Sequence, residues 1–180
     1  MPFDLTVMTR EVKQTPEYLA LHPLGRSPVL EEEGGPVFES AALVLHLADQ
    51  NLDAGLIAPL GSHERALQYQ WCLFAMTDIE SALVDIARQL WKDSGEPDTD
   101  IVGHAAARFV KTAGVIEAAL GDADYLVGNA FSVADILVGS VLGFARTGEL
   151  TELPIGVVAY VDRLEARPAR QRAVAVAVPA

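Results

Sequence analysis

The sequence predicts an α+β fold, in which a small unit of strands and helices precedes an all-helical part. The first β-branched and aromatic segment is Phe3 to Val7, which predicts a strand. The stretch from Asn51 to Gly61 is rich in Gly, Pro and Asn and therefore predicts a domain boundary. Beyond it, apolar residues recur every three or four positions, which is the period of a helix with one buried face. We therefore assign residues 1–53 to the first domain and residues 62–180 to the second.

Local signals in the first domain predict two helices and two further strands. Thr15 suits an N-cap and Pro16 the first helical position, so a short helix begins there. That helix ends at Leu21, because Pro23 disfavours helical backbone in the residue before it. The remaining predicted elements are strands at Ser27–Leu30 and Val37–Phe38, a turn containing Gly34 and Gly35, and a helix with Ser40 as its N-cap.

Four helical stretches are predicted in the second domain. They are Ser62–Trp91, Ile101–Leu120, a helix that begins at Ser132, and Pro154–Leu164. The segment SGEPDTD interrupts the pattern between the first two of them.

Charge and composition exclude several classes of function. Lys plus Arg total 13 and Asp plus Glu total 25, which gives a net charge of -12 and disfavours binding to nucleic acid or an anionic membrane. No apolar run reaches the roughly 18 residues that a membrane span requires. The start of the chain has no export signal, and the single Cys72 excludes an internal disulfide, so we expect a cytoplasmic protein.

Ser27-Pro28 is the first of three informative motifs. Proline cannot donate a hydrogen bond to a sheet, so it belongs at a strand start or edge. An ordinary trans bond suits that position. A cis bond would turn the backbone of Ser27 outward, toward solvent or a ligand.

Glu39-Ser40 is the second motif. A helix N-terminus attracts a carboxylate, and an adjacent acid attracts an ammonium group, so the pair suits the α-amino acid end of a ligand. The alternative is that Ser40 only caps its helix and that Glu39 is a solvated acid.

The third motif is Phe131 to Ile136, with the sequence FSVADI. Ser132 and Asp135 have the spacing of a capping box, and Phe131 and Ile136 have the spacing of a hydrophobic staple. This motif predicts a role in folding rather than in catalysis. No pair of histidines has a metal-binding spacing, so we expect no metal site.

The three motifs, in this order, resemble the glutathione transferase family over Pro2 to Leu164. The resemblance implies a thioredoxin-like first domain, a helical second domain, glutathione as co-substrate, a small electrophile as acceptor, and a homodimer. It implies that Arg26 meets the glycine carboxylate of glutathione and that Ser27, before a cis Pro28, meets the cysteinyl backbone. It also implies that Glu39 and Ser40 hold the γ-glutamyl group.

The part of the family pattern that this chain matches does not include the family's first strand and helix. A strand and a helix that carry the activating Ser, Tyr or Cys come before the part that matches Thr15 to Ala48, whereas 14 residues precede Thr15 here. The resemblance therefore implies a truncated thioredoxin-like domain whose catalytic residue is unknown. The lost strand would leave a slot of unpaired backbone. Phe3 to Val7 could pair with Ser27 to Leu30 across it, a second subunit could cover it, or the native chain could be longer.

Two functions follow from this resemblance. The first is a glutathione transferase whose activity is impaired by the missing segment. The second is a non-catalytic protein of the same fold that binds a ligand or a protein partner through its helical domain.

Overall fold

The computed structural model describes residues 3–177, and their elements follow the α+β order that the sequence predicts. The strands are β1 (Val29–Glu32) and β2 (Gly35–Phe38). The helices are α1 (Pro16–Leu21), α2 (Ser40–Gln50), α3 (His63–Phe74), α4 (Ser81–Leu90), α5 (Thr99–Leu120), α6 (Val133–Thr147), α7 (Ile155–Glu165) and α8 (Pro168–Ala177), with 3-10 turns at Val12–Gln14 and Leu52–Ala54. A π-helical segment, Ala75–Glu80, joins α3 to α4 without a break. Among residues 3–177, none of the helices combines the length and the apolar content that a membrane span requires.

The sheet of the first domain is a single antiparallel hairpin in the part of the chain that the structure describes. Glu32 pairs with Gly35 beside the turn, and Val29 pairs with Phe38 at the other end. The predicted strand at Phe3–Val7 is wrong, because this segment is outside the sheet and largely exposed. Alternating apolar residues favour extended backbone, but a strand also needs a partner that supplies hydrogen bonds.

The start of α1 follows the predicted signals. The hydroxyl of Thr15 accepts a hydrogen bond from the backbone N–H of Tyr18 at 3.4 Å, and Pro16 occupies the first helical position. The helix ends at Leu21, and the ring of His22 then accepts a hydrogen bond from the N–H of Leu24 at 3.2 Å. This turn leads the chain into β1.

The helical domain has one continuous apolar core formed by α3 to α7 and the π segment. Its largest fully buried side chains include Phe109, Ile79 and Leu83. At the start of α6, Ser132 accepts a hydrogen bond from the N–H of Ala134 at 3.3 Å, and Asp135 accepts one from the N–H of Ser132 at 2.9 Å. These reciprocal bonds form the capping box that the sequence predicts.

A buried arginine joins the two parts of the chain. Arg65 on α3 is 4% exposed and forms an ion pair with Asp49 near the end of α2. It also donates to the carbonyl of Ala58 at 2.7 Å and to the hydroxyl of Tyr69 at 2.7 Å. Together with the bond from Val133 N to Leu56 O at 2.9 Å, these contacts hold the end of α2 and the segment that follows it against α3 and α6.

Candidate functional site

The first part of the candidate site is the turn that enters β1. The Ser27-Pro28 bond is cis, as predicted. Arg26, Ser27 and Pro28 are all exposed. Tyr18 contacts two of these residues. Its hydroxyl donates to the carbonyl of Arg26 at 2.8 Å and lies 3.3 Å from the hydroxyl of Ser27. Because Tyr18 is only 5% exposed, it forms a rigid base for this turn.

The second part of the site is the start of α2, where one prediction is wrong. Ser40 is not the N-cap but the first helical residue, and Glu39 occupies the cap position. The backbone φ angle of Glu39 is 74°, which lies in the left-handed region. Its carbonyl accepts the first hydrogen bond of the helix, from the N–H of Leu43 at 3.0 Å. The helix therefore starts one residue earlier than a serine cap would place it. No side chain caps this end, so the first N–H groups of α2 can bind an anion.

A second acid, on the helical domain, interacts electrostatically with this part of the structure. Glu80, the last residue of the π segment, is half-buried. Burial raises the pKa of its carboxyl above the ordinary value, the negative charge of Glu39 raises it further, and Arg26 partly offsets both effects. Glu39 and Arg26 therefore both lie within electrostatic range of Glu80. Two acids whose negative charges act on each other attract a cationic group.

The structure brings most of the predicted residues to one side of the first domain and adds two that the sequence reasoning missed. Arg26, Ser27 and Pro28 lie on the turn before β1, and Glu39 and Ser40 follow β2. The missed residues are Tyr18 and Glu80. Tyr18 lies in the short helix that the sequence predicts, but nothing in the sequence indicates that its hydroxyl supports the turn at Ser27. Nothing near Glu80 in the sequence indicates its interaction with Glu39.

Ser132 and Asp135 lie apart from this site, in the interior of the helical domain. Asp135 is 1% exposed and also accepts hydrogen bonds from the N–H of Leu126 at 3.0 Å and the hydroxyl of Tyr160 at 2.8 Å. Its charge acts on Cys72, whose thiol pKa is raised to about 12, mainly by burial and secondarily by Asp135. A thiol with such a pKa is not a nucleophile at neutral pH.

Family models match both parts of the chain. The model described as the N-terminal domain of glutathione S-transferase matches residues 4–49. The model described as the C-terminal domain of glutathione S-transferase matches residues 77–168.

The chain is similar both to proteins named glutathione S-transferase and to proteins named elongation factor 1-gamma. A glutathione S-transferase of Silene vulgaris is 31% identical over 172 residues, which cover 89% of this chain and 78% of the relative. Elongation factor 1-gamma 2 of Oryza sativa subsp. japonica is 34% identical over 139 residues, which cover 74% of this chain. The chain spans only 32% of the length of that elongation factor.

Solved structures have the same fold. A sphingomonad glutathione S-transferase complexed with glutathione superposes with a TM-score of 0.77 at 26% identity, covering 93% of this chain and 82% of the other. A glutathione transferase from Methylococcus capsulatus gives a TM-score of 0.78 at 27% identity, covering 89% and 77%.

Proposed function

Because the chain belongs to the glutathione S-transferase family, we propose that it binds glutathione at the turn before β1 and the start of α2 and conjugates it to a small electrophile. Arg26 meets the glycine carboxylate, and the backbone of Ser27, before the cis Pro28, pairs with the cysteinyl residue. Ser40 and the open N-terminus of α2 receive the γ-glutamyl carboxylate. Glu39 and Glu80 share its ammonium group.

One observation carries this proposal: the uncapped start of α2 bears Glu39, and the charges of Glu39 and Arg26 both act on the half-buried carboxyl of Glu80. An amino acid end needs one site for an anion and one for a cation, side by side. The helix N-terminus supplies the first. Two carboxylates, one of which is held in a half-buried position, supply the second.

We expect slow turnover by this 180-residue chain. A transferase of this kind lowers the pKa of the glutathione thiol, ordinarily ~8.5, by donating a hydrogen bond to the thiolate. Near the site, the hydroxyls of Tyr18 and Ser27 already contact each other, and that of Tyr18 donates to a carbonyl. These engaged hydroxyls are poorly placed to donate to the thiolate, and the absence of one such hydrogen bond costs about 10²–10³ in rate.

Calorimetry with glutathione tests the binding part of the proposal. Glu39→Gln removes a charge from the site, so we expect it to weaken binding about tenfold. Glu33→Gln is the matched control, because Glu33 is an exposed residue of the hairpin turn and loses the same charge. Equal affinities for the two variants would contradict the proposed ammonium site. The rate at which the chain conjugates glutathione to chlorodinitrobenzene then measures turnover.

The similarity to elongation factor 1-gamma favours a second function, a non-catalytic ligand-binding or protein-interaction module. The calorimetric titration with glutathione distinguishes the transferase from the non-catalytic module. A folded chain that gives no heat with glutathione favours the module, whereas saturable binding that Glu39→Gln weakens favours the transferase.

The oligomeric state and location are further parts of the proposal. We propose a cytoplasmic homodimer, because exposed apolar side chains on the helical domain, such as Leu73 at 61% exposure, suit a contact between subunits. Sedimentation at the mass of a single 19.2 kDa chain would contradict the dimer.

A further inference from the structure

The hydroxyls of Tyr18 and Ser27 form a short chain of hydrogen bonds, and the direction of this chain is fixed. A tyrosine hydroxyl has one proton to donate. The hydroxyl of Tyr18 lies 2.8 Å from the carbonyl of Arg26, which can only accept, so the tyrosine proton points to that carbonyl. The contact of 3.3 Å between the hydroxyls of Tyr18 and Ser27 is therefore donated by Ser27. Tyr18 is buried, which limits competition from water.

This direction leaves the hydroxyl of Ser27 with lone pairs and without a free proton. A serine hydroxyl has one proton and two acceptor positions. The proton of Ser27 is directed at Tyr18, while Ser27 itself is exposed at the surface of the turn. A group that arrives from solvent therefore meets an acceptor. Such a hydroxyl binds an S–H or N–H group and does not stabilise an anion.

The same contact turns the backbone N–H of Ser27 outward. Among residues 3–177 the cis bond is that between Ser27 and Pro28, so the bond between Arg26 and Ser27 is trans. The C=O and N–H groups of a planar trans peptide point in opposite directions. Because Tyr18 holds the carbonyl of Arg26, the N–H of Ser27 points away from Tyr18, toward the side on which a ligand approaches.

We place the ligand thiol by the proposed pairing with glutathione, on which this inference rests. In that pairing the backbone of Ser27 meets the cysteinyl residue. Side chains that are directly opposite in an antiparallel pair lie on one face, with Cβ atoms about 4.5–5.5 Å apart. At this separation the oxygen of Ser27 and the sulfur of glutathione are within reach of each other.

The charged groups beside this serine also disfavour a thiolate. Asp4 and Glu31 line the same cavity as the serine, and so does Glu32, which is hydrogen-bonded to His46 at 2.9 Å. No Lys or Arg among the described residues lines this cavity. The neighbouring cation is Arg26, which in the proposed function binds the glycine carboxylate. A negative charge on sulfur would therefore be repelled by Asp4 and Glu31.

We propose that the hydroxyl of Ser27 accepts a hydrogen bond from the cysteinyl thiol, so that the site holds glutathione as a neutral thiol. Tyr18 acts through Ser27 as a positioning residue, because its oxygen keeps the serine proton turned inward. For conjugation the thiol must first lose its proton to water, and sulfur then forms the bond to the electrophile. The chain of Tyr18 and Ser27 therefore favours the binding of glutathione and opposes its activation.

The ionisation of bound glutathione tests this inference. Glutathione with an isotope label at its cysteinyl Cβ is bound to the 180-residue chain, and the pH dependence of the NMR shift of the label gives the pKa of the bound thiol. We expect a pKa above the ordinary value of ~8.5. An analogue with aminobutyrate in place of cysteine has no S–H donor, so we expect it to bind about threefold more weakly at pH 7.

Two variants separate the roles of Ser27 and Tyr18. Ser27→Ala removes the acceptor, so the pKa of the bound thiol should be lower than in the unmodified chain, and the analogue should bind as well as glutathione. Tyr18→Phe removes the acceptor of the serine proton, which can then turn outward and donate to sulfur. In this variant we expect a thiol pKa below ~8.5 and conjugation at pH 7 about threefold faster. The double variant should lose this gain.

Tyr125→Phe is the matched control for Tyr18→Phe. Tyr125 is half-buried on the helical domain, and its hydroxyl accepts a hydrogen bond from Arg167 at 3.3 Å. Its removal should leave the pKa of the bound thiol unchanged. If Tyr18→Phe does not fold, Ser27→Ala decides the test, because it changes an exposed side chain.

Several results would overturn the inference. A bound thiol with a pKa below ~8.5 in the unmodified chain would show that the site stabilises the thiolate. A folded Tyr18→Phe variant that conjugates no faster, or Ser27→Ala with an unchanged thiol pKa, would show that Ser27 does not contact the thiol. Saturable binding of glutathione and the analogue with equal affinity would refute the inference and leave the proposed function intact. If a folded chain binds neither ligand, both are wrong.

Discussion

The hydroxyl of Tyr160 donates a hydrogen bond of 2.8 Å to the carboxylate of Asp135, and both groups are almost completely buried. The same carboxylate accepts bonds from the backbone of Leu126 and Ser132. One acid thus joins α7, the start of α6 and the loop before it. The buried negative charge is satisfied by these donors, so loss of any one of them leaves part of the desolvation cost uncompensated.

Removal of the tyrosine hydroxyl therefore destabilises the helical domain. We expect Tyr160→Phe to lower the free energy of unfolding by about 1.5–3 kcal/mol, the range for a hydrogen bond to a charged group. Urea denaturation of the variant and of the unmodified chain measures this difference in the free energy of unfolding. Asp124→Asn is the control, because the ion pair of Asp124 with Arg163 is solvent-exposed and such pairs contribute about 0–1 kcal/mol. Equal effects of the two variants would contradict the importance of the buried network.

The cap of α6 has a smaller effect. Ser132→Ala removes the hydroxyl that accepts the N–H of Ala134 and should lower stability by roughly 1 kcal/mol. An unchanged urea midpoint would show that the serine hydroxyl does not stabilise the helix. The hydrophobic staple between Phe131 and Ile136 stays a prediction; the ring of Phe131 contacts Tyr125 and lies 3.4 Å from the guanidinium of Arg167.

Glu80→Gln should change stability and ligand affinity in opposite directions. The pKa of Glu80 is raised in the folded state by burial and by Glu39, so its ionised form is less stable there than in the unfolded chain. The variant should therefore melt at a higher temperature at pH 7, and the difference should vanish below the ordinary pKa of 4.5, where the carboxyl is protonated in both states.

Glutathione affinity should fall in the same variant, because a site for the ammonium group loses a carboxylate. Thermal melts at pH 4 and 7, together with calorimetry, check both effects. A variant that gains stability and keeps its full affinity would show that Glu80 faces Glu39 without contacting the ligand.

The buried thiol of Cys72 makes the stability of the folded chain depend on pH in the alkaline range. Burial raises its pKa from 9.0 to about 12, so between these values the unfolded state loses a proton that the folded state keeps. Stability must therefore fall as pH rises through this range. Tyr160, whose pKa is also raised, contributes with the same sign. We expect the loss of stability between pH 9 and pH 11 to be smaller in Cys72→Ala than in the unmodified chain, measured by urea denaturation.

Local signals predict the helices well and the sheet poorly. Thr15 with Pro16, and Ser132 with Asp135, place the starts of α1 and α6 because a cap depends on residues no more than three positions apart. Phe3–Val7 has the composition of a strand, but its hydrogen-bonding partners depend on the rest of the fold. The helix from Pro168 has few apolar residues on a common face, so periodicity does not indicate it.

The candidate site is predictable only where its motifs are short. Arg26 to Pro28 and Glu39-Ser40 are contiguous and follow from the sequence. The shift of the N-cap from Ser40 to Glu39 depends on a positive φ that an acidic residue rarely adopts. Glu80 is 41 residues from Glu39 in sequence, and only the packing of the π segment brings it into range.

The most direct test of glutathione binding is a titration of the isotope-labelled chain with glutathione, followed by amide shifts in heteronuclear NMR. We expect saturable shifts at the amides of Ser27, Glu39, Ser40 and Ala41, with a dissociation constant on the order of 1 mM or lower. The amides of α7 and α8 should not move. If no amide at the start of α2 shifts at about ten times that concentration, in a chain with a well-dispersed spectrum, glutathione does not bind at this site.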